Sequence, residues 1–414
     1  MARTVIVGAS VGGVRTAQAL RAAGHEGEIM LVGEEAHLPY DKPPLSKAFL
    51  AGTATLESIA LLTEGAAAEA GIDLVLGSAA VGLNRESGSI RLANGTSLPY
   101  DDLVVATGAS ARPSPWGPLH GLHAVRSLAD AHALGAALRA GGPLVVIGAG
   151  FIGSEVAATA SGMGVEEVTL VDPVPVPLSR VLDAEVAAVF GELHAGRGVR
   201  TRFGVGVAGI DETSSGLAVR LEDGTVLPAA TVVVGIGAVP NDAWLRGSGI
   251  PVDGGVLCDS HNRSVADPQV WAVGDVARWW HPVHDRYVRL EHWTNAVEQA
   301  VCVAHNITHP DELRTHAPVE YVWSDQYDWK IQLVGRTGGD THVRVEGADP
   351  EKFAVLYAEG GAFVGALTVN WPKALVTGRR VLSRAGAQPC SLGEVQALVE
   401  ASRPAPRSAG AGAR

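Results

Sequence analysis

Two stretches of this chain carry glycines at a spacing that lets backbone wrap a diphosphate: Gly8-x-Ser10-x-x-Gly13 and, about 140 residues later, Gly148-x-Gly150-x-x-Gly153. A glycine turn between a strand and a helix presents backbone N–H groups and the positive helix end to such a group. That end contributes about 0.3–1 kcal/mol per anion, so selectivity must come from an acid closing the next strand, which hydrogen-bonds a ribose. In the first copy this acid is Glu34, with Glu35 as the alternative; in the second it is Asp172. Ser10 stands at the glycine position nearest the diphosphate. Its Cβ restricts close approach, although its hydroxyl could reach a phosphate oxygen. Asp172 would repel a 2′-phosphate, and Pro173 to Ser179 contain no arginine, the first base being Arg180. A dinucleotide without a 2′-phosphate is therefore expected at the second turn.

The elements that must position these turns are legible around them. In the first copy a strand (Thr4 to Val7) leads into the turn. The helix behind it carries Val14, Ala17 and Leu20 on one face and stops at Gly24, before a strand from Glu28 to Val32. The second copy repeats this: strand Leu144 to Ile147, helix to about Met163, stop at Gly164, strand Val168 to Val171. Strands with almost no polar alternation belong in parallel sheets covered on both faces. The fold class is therefore α/β, with two doubly wound Rossmann-like domains. After about Glu320 the pattern changes. Lys352 to Ala358 and Ala362 to Asn370 read as a hairpin about Glu359-Gly360-Gly361, and a short basic helix from Lys373 to Arg384 follows, indicating a C-terminal α+β domain. The expected domains are 1–112 and 241–318 (the first nucleotide domain in two parts), 113–240 (the second) and 319–402, with a disordered tail over 403–414.

Composition excludes several classes. Hydrophobic residues make up 47% and charged residues 18% of 414 residues, a globular balance over more than one core. A net charge of −12 argues against nucleic acid as a partner. No apolar run approaches the roughly 20 residues that span a bilayer, and the strand at Thr4 leaves no room for a signal peptide, so a cytoplasmic protein is expected. Cys258, Cys302 and Cys390 are too far apart for a disulfide framework or a cysteine metal site. His281 with His284, and His305 with His309, lack a third ligand at matching spacing and read as surface residues; no metal is expected.

Beside the two turns stand Pro43-Pro44-Leu45-Ser46-Lys47, Leu103-Val104-Val105-Ala106-Thr107-Gly108, Gly237-Ala238-Val239-Pro240-Asn241, Ala272-Val273-Gly274-Asp275 and Trp323-Ser324-Asp325-Gln326-Tyr327. In this order, over about residues 3 to 385, the chain resembles the FAD-dependent pyridine-nucleotide reductases. The branch it resembles is the ferredoxin reductases that serve cytochrome P450 and ring-hydroxylating dioxygenase systems, of the putidaredoxin reductase type. The resemblance implies that Gly8, Ser10, Gly12 and Gly13 hold the FAD diphosphate and Glu34 its ribose. It places Lys42, Ala80, Ala106, Thr107, Gly108, Arg126, Trp293 and Gly237 around FAD, with Asp275 on the ribityl chain. Lys47 would lie beside the isoalloxazine, favouring its reduced anion, and Trp323 would cover it. Gly148, Gly150, Phe151, Ile152, Gly153 and Asp172 would hold NADH, while Glu155 would contact the nicotinamide and pair with Lys47.

Disulfide reductases of this superfamily carry two cysteines soon after the first domain's second strand, and peroxidase or oxidase relatives carry one. Here that segment, Pro44 to Lys47, has no thiol. No sulfur there can attack a disulfide or form a sulfenic acid. The resemblance therefore implies that electrons pass from NADH through FAD, and leave singly to a [2Fe–2S] ferredoxin. A rubredoxin as acceptor, or a redox-signalling role like that of apoptosis-inducing factor, is the alternative. An acidic ferredoxin calls for basic docking residues, for which Arg278, Arg286, Arg289, Arg379 and Arg380 are candidates. The helix reading Glu298-Gln299-Ala300-Val301-Cys302 departs from relatives that are basic there.

Overall fold

The computed structural model describes residues 2–347, 349, 351–384 and 389–403. The tail expected to be disordered lies, from Pro404 on, outside the described residues. Contacts divide the chain into two compact units. One is built from the chain up to Gly117, His123–Ala136 and Ile236–Pro318; the other from Pro118–Leu122, Ala137–Gly235 and the chain from Val319 on.

In the first unit, Arg3–Val7 pairs in parallel with Glu28–Val32 on one side and Asp102–Val105 on the other. Ile72–Val75 and Val270–Ala272 complete a five-stranded parallel sheet. Successive side chains point to opposite faces, so an apolar strand covered on both sides feeds two cores. Val5, Val7, Leu103 and Val105 pack with Trp279 in one. Ile6, Leu31 and Val104 pack in the other with Leu20 and Val303 from the helices Val11–Ala22 and Trp293–Thr308. The loops of interest all leave the carboxyl ends of these strands. Gly8 follows Val7, Glu34 lies just past Val32, Ala106–Gly108 follow Val105, and Gly274–Asp275 lie just past Ala272. That edge is where open parallel sheets bind ligands.

The second unit repeats the plan with Arg200–Phe203, Val168–Asp172, Leu144–Ile147 and Thr231–Val234 as parallel neighbours. Its C-terminal part is a five-stranded antiparallel sheet in the order Tyr321–Gln326, Trp329–Gly335, Ala362–Val369, Phe353–Glu359, Thr341–Glu346. One face of this sheet packs Ile331, Leu333, Phe353 and Leu367 against Phe190 of the helix Ala184–Gly196. The other face is covered by the helices Pro372–Arg384 and Leu392–Ala401 through Leu375, Val381, Val395 and Val399. The expected hairpin and basic helix are present within a residue of their boundaries, but sequence reasoning missed three of the five strands and the last helix. The segment from Trp323 to Gln326, read only as a motif, is strand throughout.

Candidate functional site

Each glycine turn is closed by a contact that permits no side chain. A Cβ on Gly13 would lie 1.8 Å from the Gly8 carbonyl oxygen, and one on Gly153 would lie 1.9 Å from that of Gly148. Strand and helix approach this closely only because both positions lack it. Ser10 is the N-cap of the first helix, in extended backbone, and its side chain makes no cap hydrogen bond. Gly150 caps the second helix in a similar conformation, with nothing within 4 Å of the place a Cβ would take. Both helix ends thus face outward with N–H groups to offer.

Around the first turn the side chains form a connected set. Glu34 is exposed at the strand end, while Glu35 is occupied: it accepts from the Tyr40 hydroxyl at 2.7 Å and lies 3.5 Å from Lys42 Nζ. Burial pushes the Tyr40 phenol up and the Lys42 ammonium down, the latter helped by the nearby Arg126 charge. Lys42 also donates to the Arg126 carbonyl at 3.3 Å. Arg126 donates through Nη2 to Asp275 Oδ2 at 2.9 Å, while its buried Nε has no partner. Gly274 N–H donates to the fully buried Gln299 at 2.7 Å, which fixes the turn that carries Asp275. Thr107 and Asn241 hold each other, Thr107 Oγ1 donating to the Asn241 carbonyl at 2.7 Å and Asn241 Nδ2 to the Thr107 carbonyl at 2.9 Å. Gly237 joins this region by accepting from Arg112 N–H at 2.9 Å. Trp293 donates to Asp41 at 2.8 Å, and burial raises the Asp41 carboxyl. Lys47 ends the short turn Pro43–Ser46 and donates to the Pro43 carbonyl at 3.1 Å. Ala80 begins an antiparallel strand, Ala80–Asn84.

The second turn has fewer side chains about it. Asp172 folds back, its two carboxylate oxygens accepting from Ala149 N–H at 2.7 Å and Val174 N–H at 2.8 Å. Phe151 is half-buried and Ile152 exposed on the first turn of the helix. Glu155, four residues on from Phe151, is only 2% exposed and accepts from Ser324 Oγ at 2.7 Å. A solvated helix acid is excluded by that burial. Trp323, next to Ser324, stacks on Tyr321 with ring centroids 6.0 Å apart.

Sequence reasoning missed Gln299, Asp41, Tyr40 and Ser324. Gln299 and Ser324 had a readable signal, a polar residue on the buried face of an amphipathic element; the other two had none. The reading of His281 as a surface residue is corrected. It is 1% exposed, because it ends the strand Ala277–His281 on the face that Trp279 buries, and its ring stacks on His284 at 4.0 Å. The expected basic face is thinner than counted. Arg278 pairs with Asp253, Arg289 lies 2.7 Å from Glu291, and the Arg379 guanidinium sits over the Tyr321 ring, whereas Arg286 and Arg380 are exposed.

The residues present fit a bound dinucleotide at the first turn: an outward helix end, a serine hydroxyl not spent on capping, and a buried arginine nitrogen without a partner all offer donors to a polyphosphate or polyol. No described helix is long and apolar enough to cross a membrane. Residues 2–300 match the pyridine nucleotide-disulphide oxidoreductases, and residues 321–392 match a reductase C-terminal family. The chain is 39% identical to putidaredoxin reductase of Pseudomonas putida, over 94% of each chain. It is 38% identical to the ferredoxin–NAD(+) reductase component of an anthranilate 1,2-dioxygenase system of Burkholderia cepacia, over 93% of this chain and 95% of that one. Among solved structures it is similar to a covalent putidaredoxin reductase–putidaredoxin complex, with a TM-score of 0.90 and 35% identity over 98% of this chain and 99% of that one. The chain belongs to the pyridine nucleotide-disulphide oxidoreductases, as a flavoprotein oxidoreductase of the ferredoxin–NAD(P)+ reductase kind.

Proposed function

From membership of that family, we propose that this chain oxidises NADH and delivers the electrons one at a time to a [2Fe–2S] ferredoxin that feeds a P450 or a ring-hydroxylating oxygenase. The observation that carries the reading is the state of the thiols. Cys258 is fully buried with its thiol pushed far up, Cys302 is largely buried with its thiol pushed up to about 11, and Cys390 is half-buried near the C-terminus. None lies in the segment from Pro44 to Lys47 that follows the first unit's nucleotide turn. A disulfide substrate would need a thiolate, and neither buried cysteine supplies one near neutral pH. This supports outlet through a carrier docked from outside.

FAD, when bound, supplies the exchange between two-electron and one-electron chemistry. The chain's own residues hold and orient. Ser10 and the N–H groups of the first helix would take the diphosphate, Glu34 the adenosine ribose, and Asp275, steadied by Arg126 and by Gln299 through Gly274, the polyol. Lys47 would supply positive charge beside the ring system. On the second unit the helix end at Gly150 would take the NADH diphosphate and Asp172 its ribose. The Asp172 oxygens are fixed by two N–H groups, so a 2′-phosphate would meet a fixed anion. Arg202, one of the nearest bases in the fold, is spent on Asp223 and Thr225. Glu155 would accept from the nicotinamide carboxamide.

The test mixes purified protein with NADH, an acidic [2Fe–2S] ferredoxin and cytochrome c. Cytochrome reduction that requires the ferredoxin, and is at least tenfold slower with NADPH, is expected. Turnover with rubredoxin alone would reassign the partner. Slow turnover with every carrier would favour the signalling role.

A further inference from the structure

Behind Glu155 lies a run of buried polar side chains that the proposed chemistry does not use. Ser324 and Gln326 project from the same face of the strand Tyr321–Gln326, two residues apart, and both are fully buried. His194, in the last turn of the helix Ala184–Gly196, is also fully buried. Tyr327 follows at the hairpin turn with a φ of 55°, a left-handed conformation costly for a bulky side chain. That turn brings its hydroxyl 2.9 Å from His194 Nδ1.

The donors in this run can point only one way. Glu155 is an acceptor, so Ser324 must donate to it, at 2.7 Å. The Ser324 oxygen then accepts from Gln326 Nε2 at 3.3 Å. Gln326 Oε1 and His194 Nε2 are both buried without a hydrogen-bond partner, so the run that reaches Glu155 begins at Gln326. His194 Nδ1 and the Tyr327 hydroxyl form a separate pair. Burial lowers His194 to about 4, so at neutral pH its ring is neutral. An unmatched buried polar side chain costs about 1–3 kcal/mol, so two placed in line on Glu155 are not neutral filling.

We propose that Gln326 and Ser324 form a directional chain of donors ending on Glu155, and that they are positioning residues which hold that carboxylate aimed at the nicotinamide carboxamide. The proposal rests on the reading of Glu155 as the nicotinamide contact. It assigns a purpose to the joining of the C-terminal sheet to the second nucleotide fold: the sheet supplies the hydrogen bonds that set the angle of a carboxylate on the nucleotide-binding helix. The chain makes Ser324 act through Glu155 and not beside it, which a double-mutant cycle can read.

The experiment measures NAD+ affinity by calorimetry, and the rate of flavin bleaching by NADH, in holoenzyme carrying Ser324→Ala, Ser324→Thr, Glu155→Gln and the Ser324→Ala/Glu155→Gln pair. Thermal unfolding checks that each is folded. Ser324→Ala is expected to weaken NAD+ about fivefold and slow bleaching about tenfold; Ser324→Thr, which keeps the hydroxyl, should recover most of both. In the Glu155→Gln background, removing the hydroxyl should change neither quantity further. Equal effects of Ser324→Ala in both backgrounds would overturn the proposal, since Ser324 would then act independently of Glu155. A large effect of Glu155→Gln with none from Ser324→Ala would overturn it too, yet leave the Glu155 reading intact. No effect of Glu155→Gln would overturn that reading itself.

Discussion

The two nucleotide folds share a turn and differ in almost everything around it. Both close a glycine against a carbonyl at under 2 Å from where a Cβ would sit, and both lead into the N-terminus of a helix. Around the first turn, however, Glu35, Tyr40, Lys42, Arg126, Asp275, Gln299 and Trp293 are tied to neighbours on four separate segments. Around the second, Gly150 is open, Ile152 is exposed, and the closing acid accepts from the backbone N–H groups of Ala149 and Val174. The same phosphate cradle thus stands once in a web of side chains and once almost bare. A web suits a ligand that stays, and a bare cradle suits one that must leave after each turnover.

The sharpest way to break this comparison is at the shared feature. Gly13→Ala and Gly153→Ala should each cost about 3 kcal/mol, because backbone and not a flexible side chain must yield. The first should also strip FAD during purification, while the second should leave the protein yellow but unable to bleach with NADH. Absorbance at the flavin band after gel filtration checks both. If both variants lose colour equally, the folds are not separable as described.

A pH series compares the two units through one buried histidine in each. Burial lowers His194 to about 4 in the second unit, and burial with the nearby His281 lowers His316 to about 3 in the first. Above about pH 6.5 both are neutral folded or unfolded, so nothing is lost. As pH falls below that, the unfolded chain takes up protons the native chain refuses, and stability declines. The loss levels off near pH 4 for His194 and nearer pH 3 for His316, reaching on the order of 3 kcal/mol for the first and somewhat more for the second. Denaturant unfolding at pH 7 and pH 5 should show the decline, and His194→Gln should flatten the part belonging to the second unit.

Asp275→Asn removes the ionic partner of Arg126 and should weaken FAD about tenfold, a charged hydrogen bond being worth about 1.5 kcal/mol or more. Quenching of flavin fluorescence on reconstitution gives the constant. On the bare side, Asp172→Asn should raise the NADPH-to-NADH ratio of kcat/KM about tenfold by removing the fixed anion. An unchanged ratio would mean that shape and not charge excludes the phosphate.

How much of this was legible follows from how local each signal is. The turns, their acids and the apolar strands are local patterns, and the structure has each of them. The C-terminal sheet was half-read: Phe353–Glu359 and Ala362–Val369 are almost wholly apolar, whereas Tyr321–Gln326 alternates buried Ser324 and Gln326 with half-buried neighbours, so its inward face is polar and the usual alternation is inverted. Gln299 hid for the same reason, as a fully buried amide on a helix whose face was judged by charge. Arg278 and Arg289 counted as docking residues because sequence does not reveal the acids, Asp253 and Glu291, that neutralise them.

The smallest expected effect is the most instructive, an exchange of the residues that distinguish the two turns. Ser10 lies in extended backbone that any residue adopts, so Ser10→Gly relieves no strain, and it removes a hydroxyl that caps nothing. If that hydroxyl bonds the FAD diphosphate, its loss should weaken FAD by about threefold to fivefold, with little change in the melting temperature of the apoprotein. Gly150→Ser places a side chain where no protein atom lies within 4 Å, so the empty fold should accept it. If the second turn takes the NADH diphosphate as proposed, the new Cβ would stand in its path, and NAD+ affinity should fall several-fold while FAD content stays whole. Opposite signs would be decisive in their own way. Were Ser10→Gly to tighten FAD, the serine would be a compromise inherited with the turn; were Gly150→Ser to tighten NAD+, the second turn would be loose because it lacks a hydroxyl, and its bareness would mark a missing contact and not a ligand that exchanges.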